Sequence, residues 1–211
     1  MLIPFNECVQ LLSSFGIGVN RILHIGAHEC EELEAYMLNG VNPSSVIWVD
    51  ALQEKVDLMK SRGVENVFCA ALDSKEADAT FNIANNGESS SLLEFGTHLD
   101  NHPEVHMTST RTVRTQTLKQ FVESNSLDKN IHMYNFWNLD IQGKELEVLK
   151  GGQEYLKHVG AIYTEVNTES VYKDCGLLSE LDGFLRTHGF TRIRIAMTEA
   201  GWGDALYVKS W

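Results

Sequence analysis

Arg21-Ile-Leu-His-Ile-Gly-Ala27 is a short run, apolar on both faces, that ends at a glycine. Strands buried on both sides of a parallel sheet read this way. Downstream, Glu31 to Asn39 sets Leu33, Tyr36 and Met37 at helical spacing, and Gly40 closes the segment. Ser45-Val-Ile-Trp-Val-Asp50 is a second buried strand that ends in an acid. Gln53 to Arg62 is a second helix, stopped by Gly63, and Asn66 to Leu72 is a third strand. Strand alternating with helix implies a parallel sheet covered on both faces, with right-handed crossovers.

The same grammar returns after an interruption. Leu118 to Ser124 reads as a short helix and Met133 to Ile141 as a fourth strand. Lys144 to His158 reads as one long helix, with Leu146, Leu149, Tyr155 and Leu156 inward and Val148 and Val159 flanking. Ala161 to Val166 is a fifth strand, and Ser179 to His188 a further helix ended by Gly189. Thr191 to Ala196 and Ala205 to Val208 are joined by a link too short for a crossover, which predicts an antiparallel hairpin. Upstream, Phe5 to Phe15 is helical, so residues 1–20 form an N-terminal helical extension. Residues 73–117 break the pattern. Ala79 to Ala84 and Thr110 to Thr117 alternate like strands around a turn-rich stretch, predicting an inserted loop-and-strand region.

A chain of 211 residues, 43% hydrophobic and 22% charged, fits a single globular domain over residues 1–211. The net charge of -12 disfavours nucleic acid as a partner. The cysteines Cys8, Cys30, Cys69 and Cys175 form no C-x-x-C pair, which predicts free thiols in a reducing, cytoplasmic compartment. Cys69, inside an apolar run, is expected in the core. No stretch reads as a signal peptide or a membrane span.

Chemistry is expected where parallel strands end, because ligands sit beyond their carboxyl ends. The first candidate is the turn Gly26-Ala27-His28-Glu29, where a glycine lets a ligand come close. Alone it reads equally as a plain tight turn. The second is Asp50, placed to accept the two ribose hydroxyls of a nucleoside, or alternatively to cap the next helix. The full G-x-G-x-x-G fingerprint is absent, since Cys30 and Glu31 stand where later glycines would be. Glu29 would repel a pyrophosphate and suits a ligand bearing an ammonium. S-adenosylmethionine is therefore the expected cofactor ahead of a dinucleotide. The third candidate is Asn138-Leu-Asp-Ile-Gln-Gly-Lys-Glu145, with Glu165 at the neighbouring strand end. Acids on adjacent strand ends suit proton transfer, orientation of a hydroxyl, or a shared divalent metal. Glu145 and Glu165 also read as structural acids held by backbone amides or Lys144. His98, His102 and His106 recur every four residues, but Pro103 argues against a helix there, so they are expected as loop histidines without a metal. Trp202 and Asp204 in the last hairpin are placed to rim an acceptor pocket, and Trp202 reads equally as simple packing.

Several of these stretches together resemble the FkbM family of methyltransferases. They are Ile22 to His28, Val49-Asp50-Ala51, Cys69 to Asp73, Ser89-Ser-Ser-Leu92, Thr115 to Leu118, Leu139 to Gly151 and Thr164-Glu-Val166. The resemblance spans about residues 21–208, and the block from Asp140 to Gly151 is its most specific part. It implies a class I methyltransferase (Rossmann-like) α/β fold. That fold has a seven-stranded, mostly parallel sheet with helices on both faces and a C-terminal antiparallel hairpin strand. It also implies O-methylation of a small molecule or glycan, most often a sugar. It assigns Gly26 and Asp50 to the cofactor, with Ala51 and Leu72 flanking the adenine. His24, Ala27, His28 and Glu29 of the same turn are expected at the cofactor's amino-acid end, where His24 replaces the family's Asp and His28 or Glu29 would compensate. Ser90 and Ser91 fall on the acceptor or cofactor side, and Asp140, Gln142 and Glu165 at the chemistry. The family usually has Asp at position 24, glycine at position 30 and often Glu at position 50. Two other readings remain on the residues alone: a non-catalytic binding module with this fold, kept alive by His24 and Cys30, and a nicotinamide-dependent oxidoreductase.

Overall fold

The computed structural model describes residues 1–210. Its main sheet has seven strands. In chain order these are β1 (Ile22–Ile25), β2 (Val46–Asp50), β3 (Val67–Cys69), β7 (Phe136–Leu139), β8 (Ala161–Asn167), β9 (Phe190–Met197) and β10 (Trp202–Lys209). They lie in the order β3-β2-β1-β7-β8-β10-β9. Only β10 runs antiparallel, between β8 and β9. Strand order reverses at β1, which pairs with both β2 and β7, and a ligand crevice is expected beyond that point.

Successive residues of the central strands β1, β2, β7 and β8 enter opposite cores, so these strands have no solvent-facing side. On one face, Leu23, Ile25, Ile47, Val49, Trp137 and Leu139 pack with α5 (Leu118–Ser124), α6 (Glu145–Gly151) and α7 (Leu178–Thr187). On the other, Ile22, Val46, Trp48 and Phe136 meet α1 (Phe5–Ser14), α2 (Leu33–Leu38) and α3 (Gln53–Ser61). The extension over residues 1–20 is thus part of a core, through Ile3, Phe5, Cys8 and Leu12.

Five sequence expectations are corrected. The strand expected over residues 66–72 is two. After β3 the chain leaves the main sheet, and β4 (Ala71–Leu72) joins a second sheet of order β4-β6-β5, with β5 (Ala77–Ala84) and β6 (Met107–Gln116) antiparallel. Cys69 falls where the chain changes sheets and is exposed, not core. The helix expected over residues 144–158 stops at Gly151, and Gln153–His158 continues as a 3-10 helix. Val148 is buried rather than flanking. A four-residue helix, α4 (His98–Asn101), forms just ahead of Pro103, where none was expected. No helix among the described residues is long and apolar enough to cross a membrane.

Candidate active site at the carboxyl edge of the sheet

The turn after β1 is built around Gly26. Its φ is +91°, and a Cβ there would stand 1.7 Å from the Asp140 carbonyl oxygen. The glycine is therefore needed first by the protein's own chain, because it lets the ends of β1 and β7 touch. The amides of Gly26 and Ala27 both donate to Val49 O, at 2.9 and 3.0 Å. Ala27 is buried beneath the turn. Asp50 accepts from the amides of His28 and Leu52, each at 2.8 Å, and so ties this turn to the entrance of α3. Burial raises its pKa, while the two amides oppose that. Beside Asp50 lies an apolar slot walled by Ala51, Leu52, Leu72, Phe81, Leu92 and Ile141, with Ser90 and Lys144 at its margin. Ala51 and Leu72 both line this slot, next to the Asp50 carboxylate.

Two residues assigned to the cofactor face elsewhere. His24 is 2% exposed and lines neither cavity. Its ring packs on Trp48 at 4.8 Å, and its Nδ1 lies 3.1 Å from the Tyr36 hydroxyl. Burial lowers its pKa to about 4, so it is a neutral core imidazole. Glu29 is held by Lys55 at 2.8 Å and Arg62 at 2.9 Å, which bring its pKa down to about 2. The acids just after this turn that line the open cleft are instead Glu31 and Glu32. Glu31 pairs with His28 Nδ1 at 2.5 Å, and that contact raises the histidine's pKa.

The cleft, about 520 Å3, opens between this turn and the ends of β7 and β8. Asp140, Gln142 and Glu165 meet on its floor. The Gln142 amide nitrogen donates to Asp140 Oδ1 at 2.7 Å and to Glu165 Oε2 at 2.8 Å. Glu165 is 5% exposed. Burial first, and then the nearby charges of Asp140 and Glu145, raise its pKa well above the carboxylate range. Glu145 is different in kind. Buried at the start of α6, it accepts from the amides of Ile141 and Gly143 at 2.9 and 3.2 Å and shapes the turn. Gln142 sits in that turn at a φ of +57°, with Gly143 next at +100°.

The serine motif braces the same turn. Ser91 Oγ donates to Gln142 O at 2.8 Å and is itself buried. Ser90 Oγ donates to Gly87 O at 2.7 Å and accepts from Ala84 N at 3.1 Å. Trp202 and Asp204 line the cleft, and Asp204 accepts from the Tyr163 hydroxyl and from Leu2 N. His98 and His102 line it too, His98 stacked on Phe95 at 4.2 Å, whereas His106 lies outside. Sequence reasoning missed Tyr172, whose hydroxyl donates to Gln142 Oε1. An aromatic just past an acid-bearing strand was the one available signal. Among the described residues one trio of metal-type donors, His28, Glu31 and Glu88, has atoms within 4.8 Å of one another. His28 and Glu31 already satisfy each other as an ion pair.

Comparison with known proteins places this geometry in a family. No curated protein matches the sequence. Among solved structures, the chain is similar to magnesium protoporphyrin IX methyltransferase from Synechocystis PCC 6803 with bound SAM, at a TM-score of 0.50 and 9% identity. That match covers 97% of this chain and 77% of the other. It is also similar to an S-adenosylmethionine-dependent methyltransferase from Clostridium acetobutylicum ATCC 824, at a TM-score of 0.49 and 7% identity, covering 97% and 89%. At such identity the first likeness shows the fold, that of the class I methyltransferases. The family model described as the methyltransferase FkbM domain matches residues 24–192, well over half of the 211 residues, and the chain belongs to the FkbM methyltransferase family.

Proposed function

We propose that the chain transfers the methyl group of S-adenosylmethionine to a hydroxyl oxygen of a small polyhydroxy molecule or glycan, most simply a sugar. One observation carries the reading: an acid pair joined by an amide, Asp140-Gln142-Glu165, on the floor of a cleft that adjoins the Asp50 slot. The slot fits the nucleoside part of the cofactor. Its apolar walls suit an adenine, and Asp50 has lone pairs left beyond its two amide partners for ribose hydroxyls. His28, Glu31 and Glu32 lie at the end suited to the ammonium of the methionine part. We assign Gly26 to the strand-end approach that shapes the crevice, and His24, Ala27 and Glu29 to its support.

When bound, S-adenosylmethionine supplies a methyl group already activated on a sulfonium sulfur. The residues of the chain then have two tasks, alignment and proton removal. Asp140 accepts the proton of the acceptor hydroxyl, and Gln142 orients the carboxylate. Glu165, its pKa raised by burial and by the neighbouring acids, shares the Gln142 amide with that carboxylate. No step requires a divalent metal. The same reading treats residues 1–211 as one catalytic domain, with 73–117 as the insertion that carries the serines.

The test begins with calorimetric titration of S-adenosylhomocysteine, with NAD as control. Binding of the first alone, lost in Asp50→Ala, supports the cofactor assignment. Asp140→Asn should bind S-adenosylhomocysteine normally and lose about 10²- to 10⁴-fold in turnover. Full turnover in that variant would remove Asp140 from the mechanism.

A further inference from the structure

Tyr172 is 1% exposed, and its hydroxyl hydrogen bonds to Gln142 Oε1, with Ser89 O 3.4 Å away. Neither oxygen can donate, so the phenol is the donor. Burial raises its pKa further above its ordinary value, so it stays a phenol. A primary amide has nearly the same shape in its two orientations, and its hydrogen-bond partners decide between them. With Oε1 held by the phenol, the two amide hydrogens of Gln142 point at Asp140 Oδ1 and Glu165 Oε2. In the opposite orientation the amide would turn its oxygen on the acid pair and leave Asp140 without its donor.

The phenol is itself fixed from outside the sheet. Its segment pairs with the inserted region through Gly96 N to Val171 O and Lys173 N to Glu94 O, both at 2.8 Å. The Tyr172 ring packs on Phe95 and His98, each at 5.6 Å.

We infer that Tyr172 is a positioning residue for methyl transfer: its phenol sets the Gln142 amide so that one NH2 group serves Asp140 and Glu165 together. This rests on Asp140 being the proton acceptor. As the acceptor oxygen bonds to the methyl carbon and the sulfur–methyl bond breaks, the hydroxyl proton moves to Asp140. An amide donor on that carboxylate favours its ionised form and keeps it available at lower pH.

The test uses Tyr172→Phe, which removes one oxygen and keeps the ring. Infrared difference titration of the unliganded protein should show the acid pair's apparent pKa rising by about one unit. Turnover should fall about tenfold, and the acid limb of its pH profile should move up with the pair. The affinity for S-adenosylhomocysteine should stay within about twofold of wild type. The double variant Tyr172→Phe/Gln142→Leu should be no slower than Gln142→Leu alone, because coupled residues do not add. Tyr172→3-fluorotyrosine, a stronger donor of nearly unchanged shape, should move the pair's pKa the other way if the Phe variant does not fold. An unmoved titration, or additive losses in the double variant, would overturn the inference. Loss of S-adenosylhomocysteine binding by the wild-type chain would instead sink the cofactor reading and leave the infrared result standing.

Discussion

Gly26 has no side chain because Asp140 leaves no room for one: backbone oxygen stands where a Cβ would be. Gly26→Ala must therefore push the ends of β1 and β7 apart. The positive φ adds its own cost. A loss of about 3 kcal/mol or more, read by chemical denaturation, is the expected outcome, together with loss of S-adenosylhomocysteine binding. His24 gives a second prediction at this scale. Its pKa is about 4 in the fold, against 6.5 for the unperturbed group. The unfolded chain thus binds the extra proton first, so stability contributed by the neutral ring is present above pH 6.5 and is lost as pH falls towards 4. Between pH 7 and pH 5 the wild type should lose about 2 kcal/mol relative to His24→Gln, measured as the difference between their denaturation curves. Glu145 titrates in both proteins and cancels. The positions of Gly26 and of the acids Asp50 and Asp140 at the ends of β1, β2 and β7 were legible in the sequence, because apolar runs mark where those strands stop. Tyr172 was not, because no periodicity or spacing links it to Gln142 thirty positions earlier. Nor was the direction of Glu29, which depends on Lys55 and Arg62 from α3 and the residues after it.

At the scale of elements, the strands and most helices could be read because each is short, apolar and punctuated by glycine. The errors fall where one periodicity continues past a change of partner. Residues 66–72 remain strand-like throughout, yet the pairing passes from β2 to β6 within them. The segment 144–158 keeps helical spacing, but Gly151 and Gly152 let it close on its neighbours. A Cβ on Gly151 would lie 2.6 Å from Asp73 O, and one on Gly152 would lie 2.5 Å from Leu118 Cδ2 and 3.0 Å from Leu118 Cβ. The glycine pair thus sets how tightly α6 packs on α5. Gly152→Ala keeps an ordinary φ of -123° and tests this packing alone. It should destabilise the protein by about 1–3 kcal/mol, through overpacking, with the denaturant midpoint lowered and the slope unchanged. Affinity for S-adenosylhomocysteine should not change, since neither glycine lines the slot or the cleft.

Across the whole molecule the charge is strongly negative, and the cleft concentrates it. Among the described residues Glu31, Glu32, Glu88, Glu104, Asp140, Glu165 and Asp204 all line it, and no lysine or arginine does. This excess of acids sets a negative field over the acceptor. In water, each carboxylate at about 10 Å acts on each acceptor charge with about 0.4 kcal/mol. Three of them acting on a phosphate dianion therefore cost about 2.5 kcal/mol before screening, more than the 1.4 kcal/mol that makes a tenfold difference in rate. A neutral sugar escapes this cost. Given the same sugar with and without a phosphate ester remote from the methylated hydroxyl, the neutral compound should be turned over at least tenfold better in kcat/KM at low salt. Raising the salt to about 0.5 M should narrow the gap, because the screening length then falls well below 10 Å. A gap that salt does not move would point to shape rather than charge as the selector. A preference for the phosphate ester would mean that a cation enters the cleft with the acceptor, and the neutral polyhydroxy acceptor proposed here would be wrong.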